Sequence, residues 1–448
     1  MISRRRFLSG AVLSGLAASP AARALGAGAA SRLIDPRVDA QKLRERLEAL
    51  SVFGRPAGGT FADGVSRVAY SDADIEGRRY VLGLMGTAGL APRIDAAGNI
   101  FGARAGTDPS LPPILFGSHI DSVPSGGNFD GDLGSLSALG AMEALAAAGV
   151  RTRHPLEMVV WAHEEGVAFG RALACSRIVA GDFKPADLDE VWNGMRRADA
   201  IRRIGGAPDR IPSAQRPKGS THCYIELHIE QGGTLEKAGV PIGVVEGIVA
   251  IDKYDVTVTG FANHAGTTPM AERQDALVAA AQLTVAVRDV VTSEPGRQVG
   301  TVGHLEIAPN APNVIPGLAR LTIEIRDLSP EKLRRLGEAV RARARDIAAA
   351  SRTTIDLKPA SLAPPATASP EVQRAIERAA GSLALQTMRL PSGAGHDAQM
   401  MAQIGPMGMI FVPSIGGISH SPKELTRWED CARGADVLLR AVLEMDRV

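Results

Sequence analysis

The sequence predicts an α/β protein whose main domain is interrupted by a smaller α+β insertion, on three observations. Before residue 244, continuous apolar runs are separated by amphipathic stretches. Over 244–360, the strand-like segments instead show polar and apolar residues in alternation. From residue 361 the first pattern returns. Continuous runs are typical of strands buried on both faces, whereas alternation is typical of half-exposed strands. We therefore expect a main domain in two parts, 33–243 and 361–448, around an inserted domain at 244–360.

The first part of the main domain contains helical patterns, a hairpin and three buried strands. In chain order these are a helix over 39–50, a helix over 75–88, a hairpin over 92–103, a strand over 114–116, a helix over 135–148, and strands over 156–162 and 224–228. Each buried run stops at polar residues. Because open α/β sheets place ligand sites at the carboxyl ends of their strands, these polar residues are the candidates for chemistry.

The insertion shows a different order of elements. It predicts a strand over 254–259, a helix over 276–291, strands over 301–307 and 319–325, a helix over 330–350 and a strand over 354–357. Strand, helix, strand, strand, helix, strand is the ferredoxin-like arrangement. A Pro-rich linker is expected over 359–370, followed by a helix over 371–383 and a strand over 408–413.

Composition restricts the class of protein. A length of 448 residues suggests more than one domain, and a hydrophobic content of 45% is ample for a large core. A net charge of +1 gives no indication of a nucleic-acid partner. Beyond the amino terminus no run of 18 apolar residues occurs, so no membrane span is expected. Cys175, Cys223 and Cys431 are widely spaced and are expected to be buried free thiols.

The amino terminus resembles a twin-arginine export signal. Arg4, Arg5 and Arg6 precede an apolar, Ala-rich run, and Ala22-Arg23-Ala24 matches a small-residue cleavage site. We therefore expect residues 1–24 to be a signal peptide and the protein to be periplasmic. The alternative is a short basic tail on a cytoplasmic protein.

The loop after the first buried strand, residues 117–134, carries the first candidate ligands. His119, Asp121 and Asp130 lie in it among Gly, Ser and Pro. His119 is a candidate ligand of a divalent cation. Asp121 follows on the same side of an extended backbone and is expected to accept the other imidazole N–H. Asp130 is the candidate carboxylate that bridges two cations.

The remaining donors follow later apolar runs. Glu164 and Glu165 are adjacent and point in different directions, so one can bind a cation while the other takes a proton from the attacking water. His228 and His420 complete the set. Taken singly, each residue has a simpler explanation, because a lone His is commonly structural and a Glu pair is commonly a solvated surface.

Several motifs in one consistent order overturn those simpler explanations. They are GSHIDSV at 117–123, NFDGDLG at 128–134, HEEG at 163–166, ELHIEQG at 226–232, NHAGTTPM at 263–270, NVIPG at 313–317, EIRD at 324–327, SGAGHDA at 392–398 and SHSPKE at 419–424. With them the chain resembles the N-carbamoyl-L-amino acid hydrolase and allantoate amidohydrolase family, within the dinuclear-metal aminoacylase and carboxypeptidase clan. The resemblance implies a phosphorylase/hydrolase-like, zinc-exopeptidase-type catalytic domain with an inserted ferredoxin-like dimerisation (lid) domain.

The resemblance also implies a role for each matching residue. One cation would be held by His119, Asp130 and His228, and the other by Asp130, Glu165 and His420. Glu164 would be the general base, and His264 would stabilise the oxyanion in the active site of a partner subunit. The substrate carboxylate would be held by Asn313 and Arg326, with Gln231 lining the same pocket and His396 in a Gly-rich loop beside it.

The implied activity is metal-dependent hydrolysis of a ureido C–N bond, with an N-carbamoyl-L-amino acid as substrate. Allantoate and N-carbamoyl-β-alanine stay open as alternatives, because each also carries a carboxylate and a ureido group. An exported binding protein without catalysis is a third reading. Two divalent cations per subunit are expected, Zn²⁺ first, with Mn²⁺, Co²⁺ or Ni²⁺ acceptable to the same donors. A homodimer is the expected assembly.

Overall fold

A computed structural model describes residues 35–448, so the predicted signal peptide at 1–24 lies outside the described residues. The α-helices are α1 Ala40–Leu50, α2 Asp72–Thr87, α3 Asp132–Ala147, α4 Ala174–Val179, α5 Arg197–Arg203, α6 Thr234–Ala238, α7 Ala276–Val291, α8 Pro330–Ser351, α9 Pro370–Ser382, α10 Asp397–Met401 and α11 Trp428–Met445. Short 3-10 segments lie at Phe61–Asp63, Pro185–Asp189, Pro208–Ala214, Met270–Glu272 and Ile415–Gly417.

The strands form a large sheet, a smaller sheet and two short ribbons. They are β1 Arg93–Ile94, β2 Ile100–Arg104, β3 Ile114–His119, β4 Leu156–Trp161, β5 Val191–Trp192, β6 Met195–Arg196, β7 Cys223–Ile229, β8 Ile242–Ile248, β9 Ala250–Thr259, β10 Asn263–His264, β11 Val299–Ala308, β12 Val314–Ile315, β13 Leu318–Asp327, β14 Thr354–Ala363, β15 Ala366–Thr367, β16 Thr387–Ser392 and β17 Met407–Val412.

The large sheet has the order β1-β2-β4-β3-β7-β17-β8-β15, with β16 paired to β8. Its centre is parallel, because β3 pairs parallel with β4 and β7, and β7 pairs parallel with β17. The carboxyl ends of these four strands therefore meet at one edge. The predicted hairpin is confirmed as β1 and β2.

Helix α3 packs closely against the large sheet. Helices α1, α3, α9 and α11 share one core, in which Leu47, Leu136, Ile376 and Leu438 are fully buried. A Cβ added to Gly134 of α3 would lie 2.2 Å from the Leu227 carbonyl oxygen, so the helix can approach β7 only with glycine there. The second face of the sheet is covered by a separate core that includes residues of α10.

The insertion forms an antiparallel sheet in the order β11-β13-β9-β14, with α7 and α8 packed against it. Val256, Leu283, Ile323 and Leu336 are buried in its core. This is the ferredoxin-like order that the sequence predicts, and the α/β class with an α+β insertion is confirmed. Strand β8 belongs to the large sheet and ends at Ile248, so the small sheet begins only at Ala250.

The segment at 359–370 differs from the expected linker. Strand β14 continues to Ala363 along β9, because a register shift between Pro359 and Ser361 accommodates the proline that cannot donate to the ladder. Strand β15 then pairs with β8 in the large sheet. No helix within residues 35–448 is long and apolar enough to cross a membrane.

Candidate metal centre and active site

The predicted ligands meet at the carboxyl edge of the four parallel strands. His119 is the last residue of β3 and His228 lies near the end of β7. Glu165 follows β4, and the loop after β17 carries His420. Asp130 reaches the same place from the loop between β3 and α3. Residues far apart in the chain converge because parallel neighbours end at one edge of the sheet.

Asp130 lies at the centre of the cluster. Its Oδ1 is 3.4 Å from His119 Nε2 and 3.0 Å from His228 Nε2, while its Oδ2 is 3.3 Å from His420 Nε2. The Glu165 carboxylate lies 3.4 Å from His420 Nε2. Each of Asp130's oxygens therefore faces a different group of donors, as in a carboxylate shared by two cations.

Two groups of donors have the composition of cation sites. His119, Asp130 and His228 form one, and Asp130, Glu165 and His420 form the other, with the ligand atoms of each group within 4.8 Å of one another. Imidazole and carboxylate together suit Zn²⁺, Mn²⁺, Co²⁺ or Ni²⁺. The residues present thus fit a pair of divalent cations that share Asp130.

The electrostatics of the cluster agree with that fit. Burial and the neighbouring Asp130 charge raise the pKa of Glu165 to about 8. Burial, with the Glu165 charge beside it, also raises the pKa of Glu164 well above its ordinary value. The buried carboxyl groups of Asp130, Glu164 and Glu165 lie close together, which is unfavourable unless positive charge is present. Divalent cations would supply that charge.

Glu164 is placed beside the donor groups and belongs to neither. It is 7% exposed, and its Oε2 is 3.8 Å from His119 Nε2. The adjacent Glu165 belongs to a donor group, so the pair divides as the sequence predicts, with one carboxylate among the donors and the other beside them.

The Asp121 carboxylate does not make the expected hydrogen bond with the His119 imidazole. His119 Nδ1 donates to the Asp121 backbone carbonyl at 3.0 Å, whereas the nearest carboxylate oxygen is 3.9 Å away. The carboxylate instead accepts the backbone N–H groups of Glu164 at 3.0 Å and Glu165 at 3.2 Å. These two amides lie in the turn between β4 and α4, outside the hydrogen-bonded strands, so they are available to donate to the buried carboxylate. Asp121 therefore positions both glutamates.

The turn that carries both glutamates is held from a second side. His163 has a positive φ of 56°, which is uncommon for a non-glycine residue. Its Nε2–H donates to the Ala168 carbonyl at 2.6 Å, so its Nδ1 is free to accept the Tyr70 hydroxyl at 3.2 Å. The imidazole thus fixes the backbone immediately before Glu164.

A cleft of about 310 Å³ opens beside the cluster. Eight predicted residues line it, namely Asp130, Glu164, Glu165, His228, Gln231, Arg326, His396 and His420. His264, in β10, and Asn313, immediately before β12, do not line it in this chain; both are exposed on the insertion.

Three of the four predicted substrate-side residues have side-chain partners in the structure. Gln231 Nε2 donates to Asp130 Oδ2 at 2.7 Å, and His396 Nε2 is 2.9 Å from the Ser392 hydroxyl. Arg326 pairs through Nε with Glu324 at 2.7 Å, and its Nη1 donates to the Gly393 carbonyl at 2.5 Å. Arg326 therefore bridges the insertion and the main domain at the rim of the cleft.

Two buried glutamates were missed from sequence. Glu424 accepts the backbone N–H groups of Phe129 at 3.0 Å and Asp130 at 3.1 Å, and so fixes the loop of the shared carboxylate. Glu226 is fully buried in β7 and accepts from Ser118 Oγ at 2.7 Å. A charged residue inside an apolar strand is the signal that could have identified Glu226, and Glu424 ends the SHSPKE motif.

Comparisons with known proteins agree with this geometry. The sequence model of peptidase family M20/M25/M40 matches residues 115–444. The chain is 39% identical to an N-carbamoyl-L-amino acid amidohydrolase of Geobacillus stearothermophilus, over 91% of this chain and 99% of that protein. It is 38% identical to a ureidoglycolate hydrolase of Arabidopsis thaliana, over 90% of this chain and 85% of that protein. A solved amidase of the hydantoinase/carbamoylase family from Burkholderia multivorans superposes with a TM-score of 0.85 at 36% identity, over 91% of this chain and 98% of that one.

Proposed function

The chain belongs to peptidase family M20/M25/M40, and we propose that it hydrolyses the carbamoyl C–N bond of an N-carbamoyl-L-amino acid. The family resemblance that the motifs predict is confirmed, as is the class of amidohydrolase. The observation that carries this proposal is the site itself: Asp130 belongs to both donor groups, and Glu164 lies beside them without belonging to either. The chain also aligns over almost its whole length with an N-carbamoyl-L-amino acid amidohydrolase.

In the proposed mechanism, five residues of this chain hold the cations and a sixth, Glu164, carries the proton. His119, Asp130 and His228 would hold one divalent cation, and Glu165 and His420 would join Asp130 on the other. When bound, such cations polarise a carbonyl oxygen and lower the pKa of water. Glu164 accepts the proton of the water that attacks the carbamoyl carbon, and donates it to the leaving nitrogen. The C–N bond breaks to give the amino acid and carbamate, which decays to ammonia and carbon dioxide.

We expect Glu164→Gln to keep its cations and lose turnover. The amide preserves the shape of the side chain but cannot take a proton, and Glu164 lies outside both donor groups. Metal content by mass spectrometry and the rate on N-carbamoyl-L-amino acids are the measurements. Glu45→Gln, on the exposed side of α1, is the control. Undiminished turnover of Glu164→Gln would remove that residue from the mechanism.

A substrate panel separates the candidate activities. Ureidoglycolate and allantoate share the ureido and carboxylate ends, and a ureidoglycolate hydrolase is among the relatives. Parallel assays of N-carbamoyl-L-amino acids, N-carbamoyl-β-alanine, allantoate and ureidoglycolate should give the highest kcat/KM for the first class. Turnover of none of them by metal-loaded protein would favour a binding protein instead.

A homodimer is the second part of the proposal. Strand β11 pairs with β13 on one side only, and Val299 and Leu305 on it are 53% and 44% exposed. On the neighbouring helix α7, Val278 and Val285 are 49% and 48% exposed. An apolar edge strand is an aggregation hazard unless it is covered, and a second copy related by a two-fold axis would cover it.

His264 is suited to act in the active site of that second copy. Its Nδ1 accepts the backbone N–H groups of Gly266 at 3.0 Å and Thr267 at 3.1 Å, so the ring proton of the neutral imidazole is on Nε2. The exposed Nε2–H is a donor for a developing oxyanion. Asn313, opposite the same ribbon, would hold the substrate carboxylate with Arg326.

Mixing two inactive variants tests the exchange of residues between subunits. Co-expressed His264→Ala and Glu164→Gln chains should regain about a quarter of the wild-type rate, because half of random dimers are mixed and one site of each is intact. Each variant alone is the control. No recovery in a mixed dimer would contradict action across the interface.

We further propose that residues 1–24, outside the described part of the chain, direct export to the periplasm. The support is the Arg4-Arg5-Arg6 run followed by an apolar stretch and an Ala-x-Ala site. In cell fractionation the wild-type protein should be periplasmic and shortened near Ala24. An Arg5→Lys, Arg6→Lys variant that is exported equally well would contradict the proposal and favour a cytoplasmic protein.

A further inference from the structure

A second arginine, on a different element from Arg326, also lines the cleft. Arg326 enters from β13 of the insertion, whereas Arg177 enters from α4 of the main domain, and both line the cleft. Only Arg326 could be predicted from the sequence, because Arg177 belongs to none of the motifs.

The two guanidinium groups are fixed in the same manner. Arg326 contacts one carboxylate, Glu324, and one backbone carbonyl, that of Gly393. Arg177 contacts the Asp182 carboxylate through Nη1 at 2.5 Å and the Ala172 carbonyl through Nε at 3.1 Å. A guanidinium held at two points loses little further entropy when it binds an anion, so the position is preorganised.

Arg177 keeps binding capacity toward the cleft. Its Nη2 makes no hydrogen bond to any residue within 35–448, and its side chain is 21% exposed. Asp182 divides its charge between Arg177 and Arg171, which it meets at 3.1 Å. Arg177 therefore retains positive charge for a further partner.

The other side chains that line the cleft away from the donor cluster are mostly apolar. Leu173 is close to Arg177 in the chain, whereas Ile251 and Ala363 pair beside Arg326 in the small sheet, and Ala394 follows the Gly393 that Arg326 contacts. The acidic residues of the cleft, by contrast, all belong to the catalytic cluster or adjoin it. Among the described residues that line the cleft, Arg177 is the one arginine or lysine besides Arg326, so it is the available partner for an anionic group at the far end of a substrate.

We propose that the preferred substrate is a ureido dicarboxylate, an N-carbamoyl-L-amino acid with an acidic side chain whose carboxylate binds Arg177. This inference rests on the proposed function and narrows it. One carboxylate of the substrate goes to Arg326, the ureido group to the catalytic cluster and the second carboxylate to Arg177. A cleft of about 310 Å³ matches a molecule of that compact size.

The test compares side chains of similar length at one position. For N-carbamoyl-L-glutamate, N-carbamoyl-L-glutamine and N-carbamoyl-L-norleucine, we expect kcat/KM to be highest for glutamate, by at least about tenfold over norleucine, as one charge-assisted hydrogen bond provides. Arg177→Met should lower the glutamate-to-norleucine ratio by about the same factor. The matched control is Arg171→Met, which also removes a partner of Asp182 but does not line the cleft, and it should keep the ratio.

Each outcome bears on the dicarboxylate substrate or on the proposed function. A ratio unchanged in Arg177→Met, or glutamine equal to glutamate, overturns the dicarboxylate. Turnover of norleucine without preference for glutamate overturns this inference and leaves the proposed function intact, whereas no turnover of any of the three overturns both. If Arg177→Met does not fold, Arg177→Gln replaces it: the amide keeps a donor for the Ala172 carbonyl but carries no charge, so it should lower the ratio, and an unchanged ratio contradicts the proposal.

Discussion

Gly131 determines how closely the backbone after Asp130 approaches the His119 ring. It has a positive φ of 67°, and an added Cβ would lie 2.4 Å from His119 Cε1. We expect Gly131→Ala to displace the imidazole and to lose both bound cation and turnover. Gly149→Ala is the matched control, since it has a φ of 65° with no atom within 4 Å of the added Cβ. It should cost only the backbone penalty of about 1–2 kcal/mol. Full metal content in Gly131→Ala would contradict the account.

Asp121 is expected to act through the two glutamates. Asn in its place can accept one of the two backbone amides but loses the charge that attracts both. Asp121→Asn should therefore lower kcat by about 10–100-fold, as for other groups that orient ligands. Asp95→Asn is the control, because Asp95 also accepts two backbone amides, those of Ala97 and Asn99, away from the cluster. An equal effect of both substitutions on kcat would indicate a general structural role.

The Tyr70 hydroxyl is expected to stabilise the fold measurably. Tyr70→Phe leaves Nδ1 of the buried His163 without its donor, which costs about 1–3 kcal/mol of unfolding free energy. Urea denaturation measures the loss. Tyr80→Phe, whose ring packs against Phe53, should change stability much less. If the two variants are equally stable, the Tyr70–His163 bond does not support the turn.

At this scale the sequence predicts the chemistry of the site better than its contacts. Residue type and motif identified the metal donors, because imidazole and carboxylate are recognisable in a sequence. The partner of the Asp121 carboxylate depends on a turn made by another strand and could not be foreseen. Arg177 was missed for the same reason, since only the fold brings α4 to the cleft.

A stacked pair of histidines joins separate elements at the end of α11. The rings of His154 and His222 are 4.1 Å apart, His154 Nδ1 donates to the Pro112 carbonyl at 2.8 Å, and His222 Nε2 donates to the Met445 carbonyl at 3.1 Å. Burial, with the His154 charge beside it, lowers the pKa of His222. The folded state thus disfavours protonation of this ring.

The pair should make stability depend on pH. Because the pKa of His222 is lower in the folded chain than in the unfolded chain, the unfolded chain binds more protons, and the unfolding free energy falls as pH drops below about 6.5. His222→Gln keeps a donor for Met445 and should make the slope between pH 7.5 and 5.5 shallower. His304→Gln, at an exposed imidazole, should leave the slope unchanged. A steeper slope in His222→Gln would be the opposite result.

Among the elements, long periodic segments were predicted well and irregular ones were not. Helix α7 has the predicted bounds, and α2 begins at Asp72, three residues before the predicted start, with Ser71 as its N-cap. The end of β14 was mistaken for linker, because proline normally ends a strand. Its pairing with β9 overrides that preference, and local sequence does not contain that information.

For the whole molecule, the pattern of apolar runs was sufficient to predict a main sheet and an insertion with a smaller sheet of its own. Topology then explains the site: four parallel strands end together, so donors separated by up to 301 residues, from His119 to His420, converge on Asp130. The proposed homodimer would depend on the exposed edge of β11 and on His264 outside the cleft, and the sequence patterns do not predict how two copies would be arranged.

Metal stoichiometry tests this account most directly. The purified chain should contain two divalent cations, and His420→Ala should retain about one, because His420 belongs to a single donor group. Chelation should abolish hydrolysis of N-carbamoyl-L-amino acids, and added Zn²⁺, Mn²⁺ or Co²⁺ should restore it. Full turnover by thoroughly chelated protein, or an unchanged cation content in His420→Ala, would contradict a site in which two cations share Asp130.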